Sequence, residues 1–472
     1  MKKVLALILS VLLCVGLFGC NTTPAETTAA TEATEPDAGP LLVGYGREDI
    51  TPDETVHLQG GDWKNRRSDG ILDHVYVTCV AMKQGDQAFL LITMDLKLAN
   101  NNIVQDVRPQ IRRATGIPEA NIIMAATHTH SSVAVRYDWD GVEQYKQFLY
   151  QQLLKAVDTA VNDLTEAQIY AGTTETERMT FVRHYLMNDG TYAGSNFGSW
   201  TSGIKGHARA ADTELQMVKL AREGKKDILM LSFPTHGTFN ESGLKISADF
   251  VSPMRDHVEA NSDMLVAYFI GAAGDQVPSS RIQGEQYSKD YVEYGQRLGQ
   301  YALDALDSLK AVDDNGIKTG IKTYTAPTNK KNLDKLADAQ TVINIANTYG
   351  NSSAELKAAL KQYGFDSRIE ASWVISRAGQ ADTKLMMLNT LRVGNLAFAV
   401  APYEMNGWHG KAIKDGSPYD MTFIITCAGQ ENYIASSESF DYNCYESQCC
   451  FYEQGTGEKL IDVYLEMLQN LK

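Results

Sequence analysis

The chain has 472 residues, 44% hydrophobic and 21% charged, the composition of a soluble globular protein that can bury a sizeable core. Its formal charge of −15 disfavours phosphate-rich partners such as nucleic acid, which are held through clustered Lys and Arg.

Residues 1–19 carry Lys2 and Lys3, an apolar run from Val4 to Phe18, and Gly19 just before Cys20. That pattern predicts an export signal, too short and wrongly flanked for a transmembrane span. Leu17–Cys20 reads LFGC and resembles a bacterial lipobox, which makes Cys20 the lipidation site and the anchor to an outer membrane face. The alternative is an ordinary cleaved signal with an incidental cysteine. Without Lys2 and Lys3 the charge falls to −17, so membrane attachment must come from the lipid rather than from a basic surface. Asn21–Pro40 is rich in Thr, Ala, Glu and Pro and holds no aromatic residue, so residues 20–40 read as a lipidated cysteine on a flexible tether.

Residues 41–472 exceed what one small core organises, and predict one large α/β unit or two lobes. Apolar runs recur, and each leads to a residue able to bind metal or move a proton. Ala88–Met94 leads to Asp95, Ile122–Ala126 to His128 and His130, and Ile228–Phe233 to His236. Met264–Ile270 leads to Asp275, Leu396–Ala401 to Glu404, and Met421–Thr426 to Tyr433. Near-continuous apolar runs fit strands covered on both faces, and helical stretches such as Val142–Val161 and Tyr291–Leu309 lie between several of them. The predicted architecture is therefore a large α/β catalytic domain of mostly buried mixed sheets flanked by helices. Its site should gather at the carboxyl ends of the strands.

The sharpest motif is IIMAATHTHSS, Ile122–Ser132. If the strand continues to its end, side chains two apart share a face, and His128 and His130 project together. The alternative is a polar loop whose rings are capped by carbonyls or water. His128, His236 and Glu404 together supply two imidazoles and a carboxylate, a donor set found in catalytic zinc sites with an open position. Such a cation makes water a usable nucleophile near neutral pH and polarises a carbonyl. His130 would then shuttle protons or donate to a developing oxyanion, Asp95 and Asp275 would orient the histidines, and Tyr433 would be a further ligand or an acid.

ATHTHS (Ala126–Ser131), VGYGREDITP (Val43–Pro52), PTHGT (Pro234–Thr238), GAAGD (Gly271–Asp275), APYEMNG (Ala401–Gly407) and NYIASSESF (Asn432–Phe440) resemble the neutral/alkaline non-lysosomal ceramidase family. The resemblance runs in the same order from Val43 to the C-terminus. It implies hydrolysis of the ceramide amide bond at one active-site zinc, giving a sphingoid base and a fatty acid. Carried over by motif, the ligands are His128, His236, Glu404 and Tyr433. His130 takes the place of the substrate-side histidine, and Arg183 in FVRHY that of an arginine near the site.

Two departures stand out. Where the family reads GDVSP, with its serine beside the scissile amide, this chain has Gly274, Asp275, Gln276, Val277 and Pro278, and valine neither donates a hydrogen bond nor attacks carbon. Ser279 and Ser280 lie displaced past the proline. The separate C-terminal β-sandwich of full-length ceramidases has no counterpart in the sequence.

Asn329–Asp366, with apolar positions at helical spacing, predicts a helical insertion that shapes a substrate mouth. Trp63, Trp139, Trp200 and Trp408 fall beside the motifs, where a lipid or sugar could pack, although partial burial is common for tryptophan. Cys79 and Cys427 sit in apolar runs as buried thiols, and export would permit Cys444 to pair with Cys449 or Cys450. The reading is an exported zinc amidohydrolase acting on an N-acyl lipid or small-molecule substrate, with its oligomeric state open. Alternatives are an esterase for another acyl substrate, or a surface lipoprotein that binds ligand and has lost catalysis with the serine. A two-metal phosphoesterase is disfavoured because carboxylates are few.

Overall fold

The computed structural model of the protein describes residues 39–60, 66–194, 202–313, 316–429 and 432–472. The predicted signal, Cys20, the tether, Trp63 and Trp200 lie outside them.

Eight long strands form the larger sheet: β1 (Leu42–Asp49), β2 (Tyr76–Gln84), β3 (Gln87–Met94), β4 (Ile122–Ala126), β5 (Thr165–Glu175), β6 (Glu214–Arg222), β7 (Asp227–Phe233) and β8 (Met264–Ile270). Their order is β8-β7-β6-β5-β1-β2-β3-β4, with the short strand Lys310–Ala311 paired to β5. The outermost pairs, β3 with β4 and β7 with β8, are parallel, and the inner pairs are antiparallel. A second sheet is ordered β9 (Ile317–Pro327), β10 (Thr383–Val393), β11 (Leu396–Val400) and β12 (Met421–Ile425).

Period-two alternation decides which core each apolar side chain joins. Leu90, Ile92 and Met94 of β3, with Leu229, Leu231 and Phe233 of β7, pack on one face of the larger sheet. There they meet α1 (Asn101–Thr115), α2 (Val142–Asn162), α3 (Val251–Ala260) and α4 (Tyr291–Asp304). The intervening Phe89, Leu91, Ile228 and Met230 pack on the opposite face against Phe398, Val400, Phe423 and Ile425 of the second sheet. Both faces are thus covered, which is why these runs are apolar throughout. Gln216, Ser232 and Thr426 hydrogen-bond across the inter-sheet seam.

Gly44 and Gly46 of the VGYGREDITP motif have a packing role. A Cβ at either would meet the Ala160 or Ala156 carbonyl oxygen of α2 at 1.9 or 2.0 Å, so only glycine lets α2 lie this close to β1.

Residues 329–366 hold α5 (Leu336–Tyr349) and α6 (Ala354–Tyr363), and a third helix, α7 (Arg368–Ala378), follows. Ser353 and Ser367 cap α6 and α7 through their side chains, and the three helices enclose a small core of their own. α8 (Gly407–Gly416) and α9 (Thr456–Gln469) cover the far face of the second sheet through Ile413, Leu460, Tyr464 and Leu468. The result is a mixed α/β fold with a large mixed sheet flanked by helices, as expected from the sequence. Among the described residues no helix is long and apolar enough to cross a membrane.

Cys79, Cys427, Cys444, Cys449 and Cys450 are all buried free thiols, so the Cys444 pairing that export would permit is not made in this structure.

Candidate metal centre

β4 stops at Ala126, and His128 adopts a left-handed backbone with φ 65°. The extended geometry expected for the THTH segment is therefore absent, and a turn brings the two rings together instead. Non-glycine residues in this region are strained, and such strain concentrates at functional sites. The turn is pinned to the segment after β7: Thr129 bridges Gly237, and the His130 N–H donates to the Gly237 carbonyl at 2.9 Å. His128, His130 and His236 are consequently buried together, their ligand atoms within 4.8 Å of one another.

Glu404 arrives from the second sheet. Glu404–Met405 pairs in parallel with Tyr433–Ile434, which sets Glu404 beside Tyr433. The Gly274 N–H donates to the Met405 carbonyl at 2.7 Å, and a Cβ at Gly274 would meet Met405 backbone atoms at 2.9 Å. Glu404 Oε2 lies 3.2 Å from His128 Nε2 and 3.4 Å from His236 Nε2. Tyr433 Oη lies 3.4 Å from His236 Nε2.

Proton placement decides what this cluster can hold. His128 Nδ1 faces the Lys97 carbonyl at 2.7 Å, and His236 Nδ1 faces the Gln276 carbonyl at 3.0 Å. A carbonyl only accepts, so in the neutral rings the proton is on Nδ1 and the lone pair on Nε2. His130 Nδ1 faces Glu241 Oε2 at 3.1 Å, and its Nε2 lies 3.4 Å from His128 Nε2. In the neutral tautomers three imidazole lone pairs and the carboxylate therefore converge, with the Tyr433 hydroxyl beside them at 3.4 Å from His236 Nε2. Glu404 Oε2 is buried without a hydrogen-bond partner despite its short distances to two histidines, because those nitrogens also accept. A buried acceptor left in this state is costly, and a cation would satisfy Glu404 Oε2 together with His128 Nε2 and His236 Nε2. The donor set fits zinc.

The electrostatics show the same demand for positive charge at this point, which a proton on His128 or a bound cation can meet. Burial lowers His236 to about 4, and burial, Lys97 and the other two histidines hold His130 well below its ordinary value, so both rings are neutral. Burial opposes charge on His128 as well, but Cys427 and Glu404 outweigh it and carry that ring up to about 10. Glu404 is held well below the carboxylate range because His128 and His236 outweigh its burial.

The segment after β8 is the hub. Its Gln276 carbonyl orients His236, its Gly274 carbonyl accepts from Arg183 Nη2 at 2.8 Å, and its Asp275 carbonyl accepts from the Arg183 N–H. The Asp275 carboxylate accepts from the Gly407 N–H at 2.7 Å, so it holds the start of α8 just beyond Glu404, and the histidine charge it feels is that of His184, outside the cluster. Asp95 is likewise turned away, accepting from Arg255 at 3.0 and 3.1 Å and from the Tyr76 N–H. The expectation that these two aspartates orient the imidazoles gives way to backbone carbonyls in that role.

Arg183 lies over the rings of Tyr433 and Tyr445 at 5.5 and 5.1 Å, and donates to Glu446 at 2.6 Å. Val277 is buried and zipped to Phe181 through its backbone, while Ser280 bonds Glu285 and lies 3.3 Å from His207 Nε2. Trp139 stacks on Tyr137, and Trp408 belongs to α8 rather than to a loop, with Arg209 over its ring. A cavity of about 730 Å³ lined by Glu214, Lys310, Lys414 and Asp420 contains none of the cluster residues.

A profile described as neutral/alkaline non-lysosomal ceramidase, N-terminal, matches residues 41–278. The chain belongs to the neutral/alkaline non-lysosomal ceramidase family. This ceramidase-family chain is similar in fold to the solved structure "Ceramidase complexed with C2", with a TM-score of 0.70 at 15% identity, over 92% of this chain and 75% of that one. It is also similar to the crystal structure of neutral ceramidase from Pseudomonas aeruginosa, with a TM-score of 0.68 at 14% identity, over 92% and 74%. No curated protein matches the sequence. Family and fold together make it a ceramidase-like hydrolase. Glu241, Glu446 and Arg66 escaped the sequence reading because none of them stands at the immediate end of an apolar run.

Proposed function

We propose that the protein is a zinc-dependent amidohydrolase that cleaves the C–N bond of an N-acyl lipid, exported and anchored to the outer face of the cell membrane through Cys20. The observation that carries the reading is the buried convergence of His128 Nε2, His236 Nε2 and Glu404 Oε2 on one point, with that carboxylate oxygen left without a hydrogen-bond partner. Those three, with Tyr433, would hold one zinc ion, which when bound supplies a water nucleophile and polarises the acyl carbonyl.

The chain's own residues do the rest. His130 is neutral, and at 8% exposure it is the most open of the three histidines, with Glu241 reaching the surface beside it. Substrate therefore enters from that side. His130 takes a proton from the attacking water and returns it to the leaving amine. Arg183 packs on Tyr433 and keeps the phenol aimed at His236. Val277 offers no hydroxyl, so water rather than a side chain attacks the acyl carbon.

Val277 also motivates a second reading, a lipoprotein that binds an acyl ligand without turning it over. Metal content by mass spectrometry, and turnover of N-acyl amides and esters with and without a chelator, separate the two. One zinc per chain with chelator-sensitive amide cleavage is expected. Zinc without turnover favours the binder, ester-only turnover favours the esterase, and no zinc removes the metal reading. Val277→Ser is expected to raise any weak activity on ceramide, and an unchanged rate would assign the exclusion to the pocket.

A further inference from the structure

We propose that Glu241 is the positioning residue of His130, and that Arg66 fixes the backbone on both sides of the pair so that His130 serves as the proton-moving group rather than as a metal ligand. This rests on the hydrolase reading above.

The three clustered histidines are not held alike. His128 and His236 are each held at Nδ1 by a backbone carbonyl, a neutral dipole that fixes the tautomer and leaves Nε2 as a donor to a cation. His130 alone is held at Nδ1 by a carboxylate, Glu241 Oε2 at 3.1 Å. A carboxylate in this place is the arrangement in which an imidazole is oriented to accept and return a proton at its other nitrogen. The difference assigns different work to chemically identical rings.

Arg66 shows that the pair is built. It is buried at 3% exposure, far too enclosed for a lone surface guanidinium. Its Nη1 donates to the His130 carbonyl at 2.7 Å and to the Gly60 carbonyl at 3.3 Å. Its Nη2 donates to the Asn240 carbonyl at 3.1 Å and to Ser131 Oγ at 3.4 Å, and its Nε donates to the Gly243 carbonyl at 2.8 Å. One rigid fork thus ties His130 to the residues on either side of Glu241, and all five oxygens are uncharged. The charge that compensates it is Glu241. Removing Arg66 would free both backbones, whereas removing only the Glu241 carboxylate leaves the clamp and takes away the partner of Nδ1.

The test uses the full-length protein loaded with zinc, with Glu241→Ala and Glu241→Gln beside wild type. Four quantities are read: zinc per chain by mass spectrometry, the His130 tautomer by ¹⁵N imidazole NMR, and kcat and KM on a short-chain N-acyl amide. Expected for E241A are unchanged zinc content, loss of the fixed Nδ1–H tautomer, and a kcat lower by about 10- to 100-fold with KM within about twofold. E241Q keeps the shape and one acceptor oxygen, so it should retain the tautomer and lose less rate; it also guards against a misfolded alanine variant. An unchanged tautomer and kcat in E241A would overturn the proposal. So would loss of zinc from a folded E241A, because His130 would then be a ligand. If wild type turns over no acyl substrate the hydrolase reading fails, and the tautomer and zinc arms still decide what Glu241 does.

Discussion

At the scale of single residues, the buried pairing around Glu446 offers a sharp check, because its charges lie beside the site without joining the lone-pair cluster. Glu446 bonds Arg183 at 2.6 Å and His184 at 2.7 Å. Burial alone would raise its carboxyl, but Arg183 and His184 outweigh burial and hold it at about 2 against an ordinary 4.5. A depressed carboxylate contributes stability that is present above the unfolded value and lost as pH falls through the folded one. Glu446→Ala also strands the Arg183 cation in the interior, so it should cost about 3–5 kcal/mol near pH 7. The gap to wild type should shrink between about pH 4.5 and pH 2 in urea denaturation, since wild type itself loses the pairing there. A cost that stays constant across that range would show that the pairing is not what holds Arg183.

Elements explain why distant residues meet. The Glu404–Met405 strand is set by its pairing with Tyr433–Ile434 and by its approach to Gly274, where any Cβ would strike Met405 backbone atoms at 2.9 Å. Gly274→Ala should therefore push Glu404 away from His128 and His236, costing about 1–3 kcal/mol of stability and weakening zinc retention. Calorimetric unfolding and zinc titration check both, and a variant with wild-type stability and affinity would mean the hub is not rigid. His128, His236, Glu404 and Tyr433 were readable in the sequence because each follows an apolar run, and the strand-end rule needs only that periodicity. The same rule misplaced Asp95, whose carboxylate turns to Arg255 in α3. It also assumed an extended THTH segment, whereas the left-handed turn at His128 depends on contacts with Gly237 more than a hundred residues away. Glu241 and Arg66 left no periodic trace, since what they bond is fixed by tertiary packing alone.

Over the whole molecule, two sheets packed face to face bring the histidines of one against the glutamate of the other. The larger sheet delivers His128 and His236 from its outer parallel pairs, and the smaller sheet delivers Glu404 just after β11. The seam between them is mostly apolar, with Phe398 fully buried against Phe89 and Phe423 beside the few hydrogen bonds of Gln216, Ser232 and Thr426. Phe398→Ala should cost about 3–5 kcal/mol in urea denaturation, and a cost below about 1 kcal/mol would mean the sheets do not depend on this contact. That the strands are covered on both faces was readable from the apolar runs, but that they divide into two sheets and which faces meet was not, because alternation gives a strand two buried faces without naming the partner of either. The proposed zinc ion would sit where those sheets meet. Anomalous diffraction across the zinc absorption edge, from crystals of the zinc-loaded protein, tests it most directly. A single strong peak is expected within bonding distance of His128 Nε2, His236 Nε2 and Glu404 Oε2, and a peak elsewhere, or none in this cluster, would rule out the proposed site.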